Sequence, residues 1–428
     1  MAKCDSQKVE SRQVVIIGAG FGGLNAAKSL ANQSEFSVTI IDKTNHHLFQ
    51  PLLYQVATAA LSPGDIAMPV REIFRNNKNI KTLMATVSAI NRNDKVVILE
   101  DHQRISYDYL IVAPGSRHAY FGHPEWENFS PGLKTLDDAL HIREMILTAF
   151  ELAENETDKA RIESLLTFVI IGAGPTGIEM AGAIAEIAHQ SLKSHFRSID
   201  PANARVILIE GGSQVLNSYP VKLADYAKAT LEKKKVTILL NTRVTGVTNE
   251  GVRMEDGFIG THNIIWAAGN QASPLLQSLD VPCDKQGRVV VQSDLSLAVD
   301  PNIFVVGDGA CCFENGKPLP AIAAVAVQQG KYVANIIRKK IPAEKRPAFH
   351  YTDRGMMANI GKFDALVLSG PLQSSGLFAW LAWCFVHIYF LIGFRAKMIV
   401  FMHWVFYFFK GQRNVRLIVR SGSDSPKK

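Results

Sequence analysis

Paired cysteines are missing from this chain of 428 residues: Cys4, Cys283, Cys311, Cys312 and Cys384 form no C-x-x-C and no zinc-ligand spacing. An odd count without a framework argues against a disulfide-stapled scaffold and suggests free thiols in a reducing compartment. No metal site is expected. Net charge is also missing from most of the chain. From Arg395 onward eight basic residues (Arg395, Lys397, Lys410, Arg413, Arg416, Arg420, Lys427, Lys428) face one acid, Asp424, so this tail accounts for the whole formal charge of +7. A nucleic-acid binder would spread its basic charge over a folded face, so nucleic acid is not an expected partner. Met1 to Gln13 is polar with no apolar core, and a secretory signal is not expected. Disorder is excluded by a balance of 47% hydrophobic and 20% charged residues. The length suits two or three domains.

What is present begins with a strand signal, Val14 to Ile17, that runs into glycines. A helix pattern from Leu24 to about Asn32 and a second strand, Val38 to Ile41, complete a βαβ start. Val87 to Leu99 reads as alternating strands around a polar turn, and Tyr109 to Val112 as a short strand ending at Pro114-Gly115. Leu136 to about Glu163 reads as a charged helical connector. The opening then repeats: strand Phe168 to Ile171, a glycine loop, a helix from Ile178 to about Phe196, and strand Arg205 to Ile209. A further strand, Asn302 to Val306, precedes a helix over Ala321 to Lys339. This duplication predicts an α/β protein with two Rossmann-like dinucleotide-binding domains.

Gly18-Ala19-Gly20-Phe21-Gly22-Gly23 matches G-x-G-x-x-G. Gly18 permits the tight turn, Gly20 lets the backbone approach a pyrophosphate, and Gly23 lets helix and strand pack closely. The helix N-terminus then offers free N–H groups and a dipole to the phosphates. Asp42 closes the next strand, where a carboxylate accepts from a ribose 2′-OH. In the second copy, Gly172-Ala173-Gly174-Pro175-Thr176-Gly177, the matching acid is Glu210. With Gly211-Gly212 next and no arginine close by, NAD is preferred over NADP. Two dinucleotide sites in one chain suggest a flavin in one and a nicotinamide in the other. Asp308 of Gly307-Asp308, after an apolar strand, is a candidate for holding ribityl hydroxyls.

The order GAGFGG, APGS at 113–116, GAGPTG, WAAG at 266–269 and VVGDGA at 305–310 resembles the two-dinucleotide-binding flavoproteins. That family includes glutathione-reductase-like disulfide reductases, ferredoxin reductases, sulfide:quinone reductases and type II NADH dehydrogenases. FQPLLY at 49–54, YFGHPEW at 120–126, Gly177-Ile178-Glu179 and AWLAWCFVHIYFLIGF at 379–394 resemble the last group over roughly residues 12 to 417. The resemblance implies FAD on Gly18, Gly20, Gly22, Gly23, Asp42 and Asp308, with Gln50, Pro51, Leu52 and Gly115 along the flavin ring. It implies NADH on Gly172, Gly174, Gly177, Glu210 and Gly269, with Glu179 near the nicotinamide and flavin. The quinone-side pattern A-Q-x-A-x-Q reads Ala323-Ala324-Val325-Ala326-Val327-Gln328, so Gln328 is kept and Ala324 replaces the first glutamine. Ala396 stands where asparagine is frequent.

The domain order implied is an FAD-binding part at 12–120, an NADH-binding part at 121–289, a second FAD-binding part at 290–345 and a membrane-association module at 346–428. The expected activity is transfer of hydride from NADH to FAD and of two electrons to a membrane quinone, without proton pumping. Two alternatives stay open. Cys311 and Cys312 keep a sulfide:quinone oxidoreductase in view, and a flavin-binding NADH-dependent sensor would show reduction without quinone-linked reoxidation. Leu377 to Phe394 is long enough to be read as a span. Its Trp and Tyr residues, with Arg395 and Lys397 beside it, equally fit interfacial helices. The resemblance implies peripheral, monotopic attachment through amphipathic helices on the cytoplasmic side of the inner membrane, in a homodimer.

Overall fold

The computed structural model describes residues 11–410 and 415–418. Cys4 and, in the basic tail, Arg413, Arg420, Lys427 and Lys428 lie outside the described residues. The elements that position the site run in this order: β1 (Arg12–Ile17), α1 (Phe21–Leu30), β2 (Phe36–Asp42), β3 (Ile80–Met84), β4 (Tyr109–Val112), α2 (Leu136–Glu154) and β5 (Thr167–Ile171). Then come α3 (Pro175–Glu186), β6 (Arg205–Ile209), β7 (Val236–Leu239), β8 (Asn263–Trp266), β9 (Ile303–Val305) and α4 (Ala323–Arg338). The chain closes with β10 (Met356–Gly361), β11 (Asp364–Ser369), β12 (Leu372–Gly376), α5 (Leu377–Phe390) and α6 (Phe394–Lys410).

Two compact units divide these elements. One comprises residues 11–47, 68–117 and 270–353; the other takes 48–67, 118–269 and the rest of the described chain. In the first, a parallel sheet has the order β9-β4-β1-β2-β3. Val14, Ile16 and Ile40 are buried on it, as expected where helices cover both faces of a parallel sheet. Helices α1 and α4 cross at two glycines: a Cβ on Gly330 would lie 2.1 Å from the Gly22 carbonyl oxygen. In the second unit a parallel sheet has the order β7-β6-β5-β8. In each sheet the strand before the glycine loop, β1 or β5, has a later strand on either side. A crevice opens at such a switch point, outside the carboxyl ends of the strands.

Three sequence expectations need correction. The connector is two helices, because Asp158 caps a new one (Lys159–Leu165) by accepting the Ala160 N–H at 3.0 Å. The helix expected to reach Phe196 ends at Glu186 and passes into one π-turn, Ile187–Ser191. The apolar run to Phe394 breaks after Phe390, where Gly393 takes φ +86. The antiparallel sheet β10-β11-β12 was not anticipated by the strand reading; glycines 355, 361, 370 and 376, all with positive φ, mark its bends.

Among the described residues no helix is long and apolar enough to cross a membrane. Helix α5 has 14 residues, about 21 Å of rise against a hydrocarbon core of about 30 Å. It is two-faced: Ala379, Trp380 and Trp383 are buried, whereas Phe378 is 80% and Phe385 72% exposed.

Candidate functional site

Both glycine loops have the same local geometry. Gly18 takes φ +93 and Gly172 φ +101, a region that penalises any side chain. A Cβ on Gly18 would lie 2.1 Å from the Ala113 carbonyl oxygen, and one on Gly172 2.8 Å from the Ala268 backbone. The third glycines let each helix start against its own loop: Cβ atoms on Gly23 and Gly177 would meet the Gly18 and Gly172 carbonyl oxygens at 1.9 and 1.8 Å. The middle glycines differ in kind, since nothing lies within 4 Å of a Cβ on Gly20 or Gly174. That open space fronts the N-termini of α1 and α3, neither of which carries an acid in its first turn. Free N–H groups facing such a cradle suit a pyrophosphate. On this test the residues present fit a dinucleotide at each loop.

The two acids act on the loops directly. Asp42 Oδ2 accepts the Ala19 N–H at 2.7 Å, and Glu210 Oε2 accepts the Ala173 N–H at 2.8 Å. Each second oxygen is tied locally: Asp42 Oδ1 takes the Thr44 N–H at 2.7 Å and Glu210 Oε1 the Gly212 N–H at 2.8 Å. Each carboxylate is therefore held in place at a strand end with acceptor capacity left for a hydroxyl.

Among residues missed by sequence reasoning, His47 supports the first loop, and Ser116 and Gln329 support the Gly307-Asp308 turn. His47 is buried and its Nδ1 donates to the Ala19 carbonyl at 2.8 Å; burial pulls its pKa down to about 4, so the ring is neutral at pH 7. Ser116 Oγ donates to Asp308 Oδ2 at 2.6 Å, and buried Gln329 accepts the Gly307 N–H at 2.7 Å. Nothing lies within 4 Å of a Cβ on Gly115. Gln328, one position before Gln329, is engaged twice by the Thr352 backbone, donating at 2.9 Å and accepting at 3.0 Å. In the second unit Gln50, Pro51 and Leu52 form a 3₁₀ turn with Leu52 buried. Gly269 takes φ +71 just past β8.

Glu179 lies on α3 and borders a cavity also lined by Tyr54, Asn359, Glu186, Trp383 and Tyr407. Its Oε1 accepts the Asn359 N–H at 3.3 Å. Burial pushes this carboxyl up to about 8, against the opposing effect of the Asn359 N–H. Asn359 Nδ2 in turn donates to the Tyr54 hydroxyl at 2.6 Å, Gln55 Nε2 donates to the same hydroxyl at 3.0 Å, and Trp404 Nε1 donates to Gln55 at 2.9 Å. Glu186, 2% exposed, accepts from Lys234 Nζ at 3.0 Å, from the Lys362 N–H at 2.7 Å and from the Tyr407 hydroxyl at 2.5 Å. No sequence signal separated Glu186 from an ordinary helical acid; its distance of seven residues from Glu179 places both on one face of α3.

Neither Cys311 nor Cys312 is placed as a reactive thiol. Cys311 and Cys312 are buried, and burial pushes the Cys312 thiol up to about 11. A protonated thiol is a poor nucleophile, so the geometry gives sulfide chemistry no support.

Residues 12–330 match the family model described as pyridine nucleotide-disulphide oxidoreductase. The chain is 42% identical to a type II NADH:quinone oxidoreductase of Mycobacterium tuberculosis, over 95% of this chain and 90% of the relative. It is 43% identical to a second such enzyme of that organism, over 92% and 86%. Its fold superposes on the Plasmodium falciparum NDH2 structure determined with NADH, with a TM-score of 0.87 at 19% identity, covering 96% of this chain and all of that one. Paired glycine loops with their acids and identity sustained over nearly the whole length agree: the chain belongs to the type II NADH:quinone oxidoreductases, within the pyridine nucleotide-disulphide oxidoreductase family.

Proposed function

We propose that this chain oxidises NADH through bound FAD and reduces a membrane quinone, without pumping protons. The observation that carries the reading is the duplicated loop, in which an acid from the next strand fixes the glycine turn at Ala19 and again at Ala173. Two such cradles suit one resident and one exchanging dinucleotide. In this reading Gly18, Gly20, Gly22, Gly23, Asp42 and Asp308 hold FAD, with Gln50, Pro51, Leu52 and Gly115 against its ring. Gly172, Gly174, Gly177, Glu210 and Gly269 hold NADH. Bound FAD supplies the two-electron chemistry between nicotinamide and quinone.

The chain's own contribution is positioning and proton control. Net reduction of a quinone by NADH takes up one proton. Glu179, protonated at neutral pH by its burial, is placed to hold that proton at its carboxyl oxygen, and Gln328 is assigned to the quinone side. The test is anaerobic single-turnover spectroscopy at the flavin absorbance. NADH should bleach it, and a short-chain quinone should restore it. Bleaching without recovery would remove quinone as acceptor and favour a sensor; bleaching by sulfide instead of NADH would reassign the enzyme.

Attachment is part of the same proposal. The exposed aromatic side chains of α5, together with Phe394, Phe401, Phe406 and Phe409 of α6, suit burial in the headgroup boundary, while the basic tail suits anionic lipid. We place the protein, as a homodimer, peripherally on the cytoplasmic face of the inner membrane. The FAD-binding segments are then 12–120 and 290–345, the NADH-binding segment 121–289 and the membrane module 346–428. Sedimentation in detergent tests the dimer.

A further inference from the structure

Phe121 breaks two local rules at once. A bulky residue rarely takes positive φ, yet Phe121 sits at +51, followed by Gly122 at +94. It is also 68% exposed, although a buried aromatic floor of Tyr120, Trp126 and Trp266 lies directly beneath it. Its ring centroid is 6.2 Å from that of Trp266. Strain of this kind persists only where the surroundings over-determine it, and it gathers at ligand clamps. Here the strap is fixed twice at Ala119: Trp266 Nε1 donates to the Ala119 carbonyl at 3.1 Å, and the Ala119 N–H donates to the Gly269 carbonyl at 3.4 Å.

The sheet says which part of a ligand this ring would meet. In the order β7-β6-β5-β8, Glu210 at the end of β6 and Gly269 past the end of β8 lie on opposite sides of the loop after β5. With the adenosine ribose on Glu210 and the pyrophosphate on the loop, the remaining half of a dinucleotide must extend over the end of β8. There Gly172 abuts Ala268, and a Cβ on Gly269 would come within 2.6 Å of Phe121 Cζ. The ring therefore stands at the rim of the crevice, on the nicotinamide side.

We propose that Phe121 is a binding residue for the nicotinamide ring of NADH, its propped side chain covering that ring against β8. This rests on the assignment of Gly172 and Glu210 to NADH. The test uses the oxidised holoenzyme and two unreactive ligands, NAD⁺ and ADP-ribose, which lacks nicotinamide. Phe121→Ala should weaken NAD⁺ about three- to tenfold, the scale of one aromatic contact, and leave ADP-ribose unchanged. Phe121→Trp should retain NAD⁺ affinity. In turnover, the KM for NADH should rise in Phe121→Ala while the KM for quinone stays put. Unchanged NAD⁺ affinity, or equal weakening of both ligands, would overturn the proposal. ADP-ribose binding indifferent to Glu210→Ala would overturn the site assignment beneath it.

Discussion

Glu210 has two tasks in the proposed NADH site. Its carboxylate fixes the Ala173 and Gly212 N–H groups, and it would repel a 2′-phosphate. Glu210→Ala should raise the dissociation constant for NADH about ten- to hundredfold, the scale of a lost charge-assisted hydrogen bond, and should narrow the gap between NADH and NADPH. Isothermal titration of the oxidised holoenzyme with the unreactive NAD⁺ and NADP⁺ checks this. Glu179 makes a second prediction, with a definite sign. Its folded pKa of about 8 lies above the ordinary glutamate value of 4.5, so between those values the folded state binds more protons than the unfolded one. Stability from this group is therefore complete at low pH and is lost as pH rises toward 8, at up to about 1.4 kcal/mol per pH unit. Glu179→Gln should remove that slope. Chemical denaturation of parent and variant at pH 5, 6, 7 and 8 reads it, and parallel curves would reject it.

At the scale of elements, α6 is pinned to α3 by polar side chains where an apolar seam would be the ordinary solution. Tyr407 donates to Glu186, which also carries Lys234. Removing one member of a buried ion pair strands the other, so Glu186→Ala should cost about 3 kcal/mol or more, whereas Tyr407→Phe, losing one hydrogen bond, should cost about 1 kcal/mol. Thermal unfolding of the holoenzyme ranks the two. The outer face makes a separate prediction: Phe378→Asp with Phe385→Asp should reduce binding to anionic vesicles at least tenfold, since each buried phenylalanine is worth about 1.5–3 kcal/mol. The glycine loops were legible in sequence because their geometry is local and glycine alone tolerates it. The seam holding α6 was not, because Glu186, Lys234, Lys362 and Tyr407 come from four separate stretches and none has a local motif. Nor was the turn after Phe390, since an apolar run looks the same whether it spans or folds back. The fixing of both loops by Asp42 and Glu210 was half legible: the acids stood out as ribose partners, and their backbone contacts emerged only in three dimensions.

For the whole molecule, the charge lies at one end of the chain. The region from Arg395 onward holds the full +7, so attachment should combine an apolar contribution that salt leaves intact with an electrostatic one that it screens. Raising salt from 0.1 to 1 M shortens the screening length from about 10 Å to about 3 Å. Vesicle affinity should then fall on anionic lipid and hold on neutral lipid; equal losses on both would count against the tail. The shortness of α5 has a consequence for the energetics of respiration. In the one-sided attachment proposed above its 14 residues would engage one leaflet, and a protein held on that side alone would move no charge across the membrane. The free energy released between NADH and quinone then leaves as heat. Under that proposal turnover would meet no back-pressure from the ion gradient and would follow the supply of reduced nucleotide even when the gradient is full.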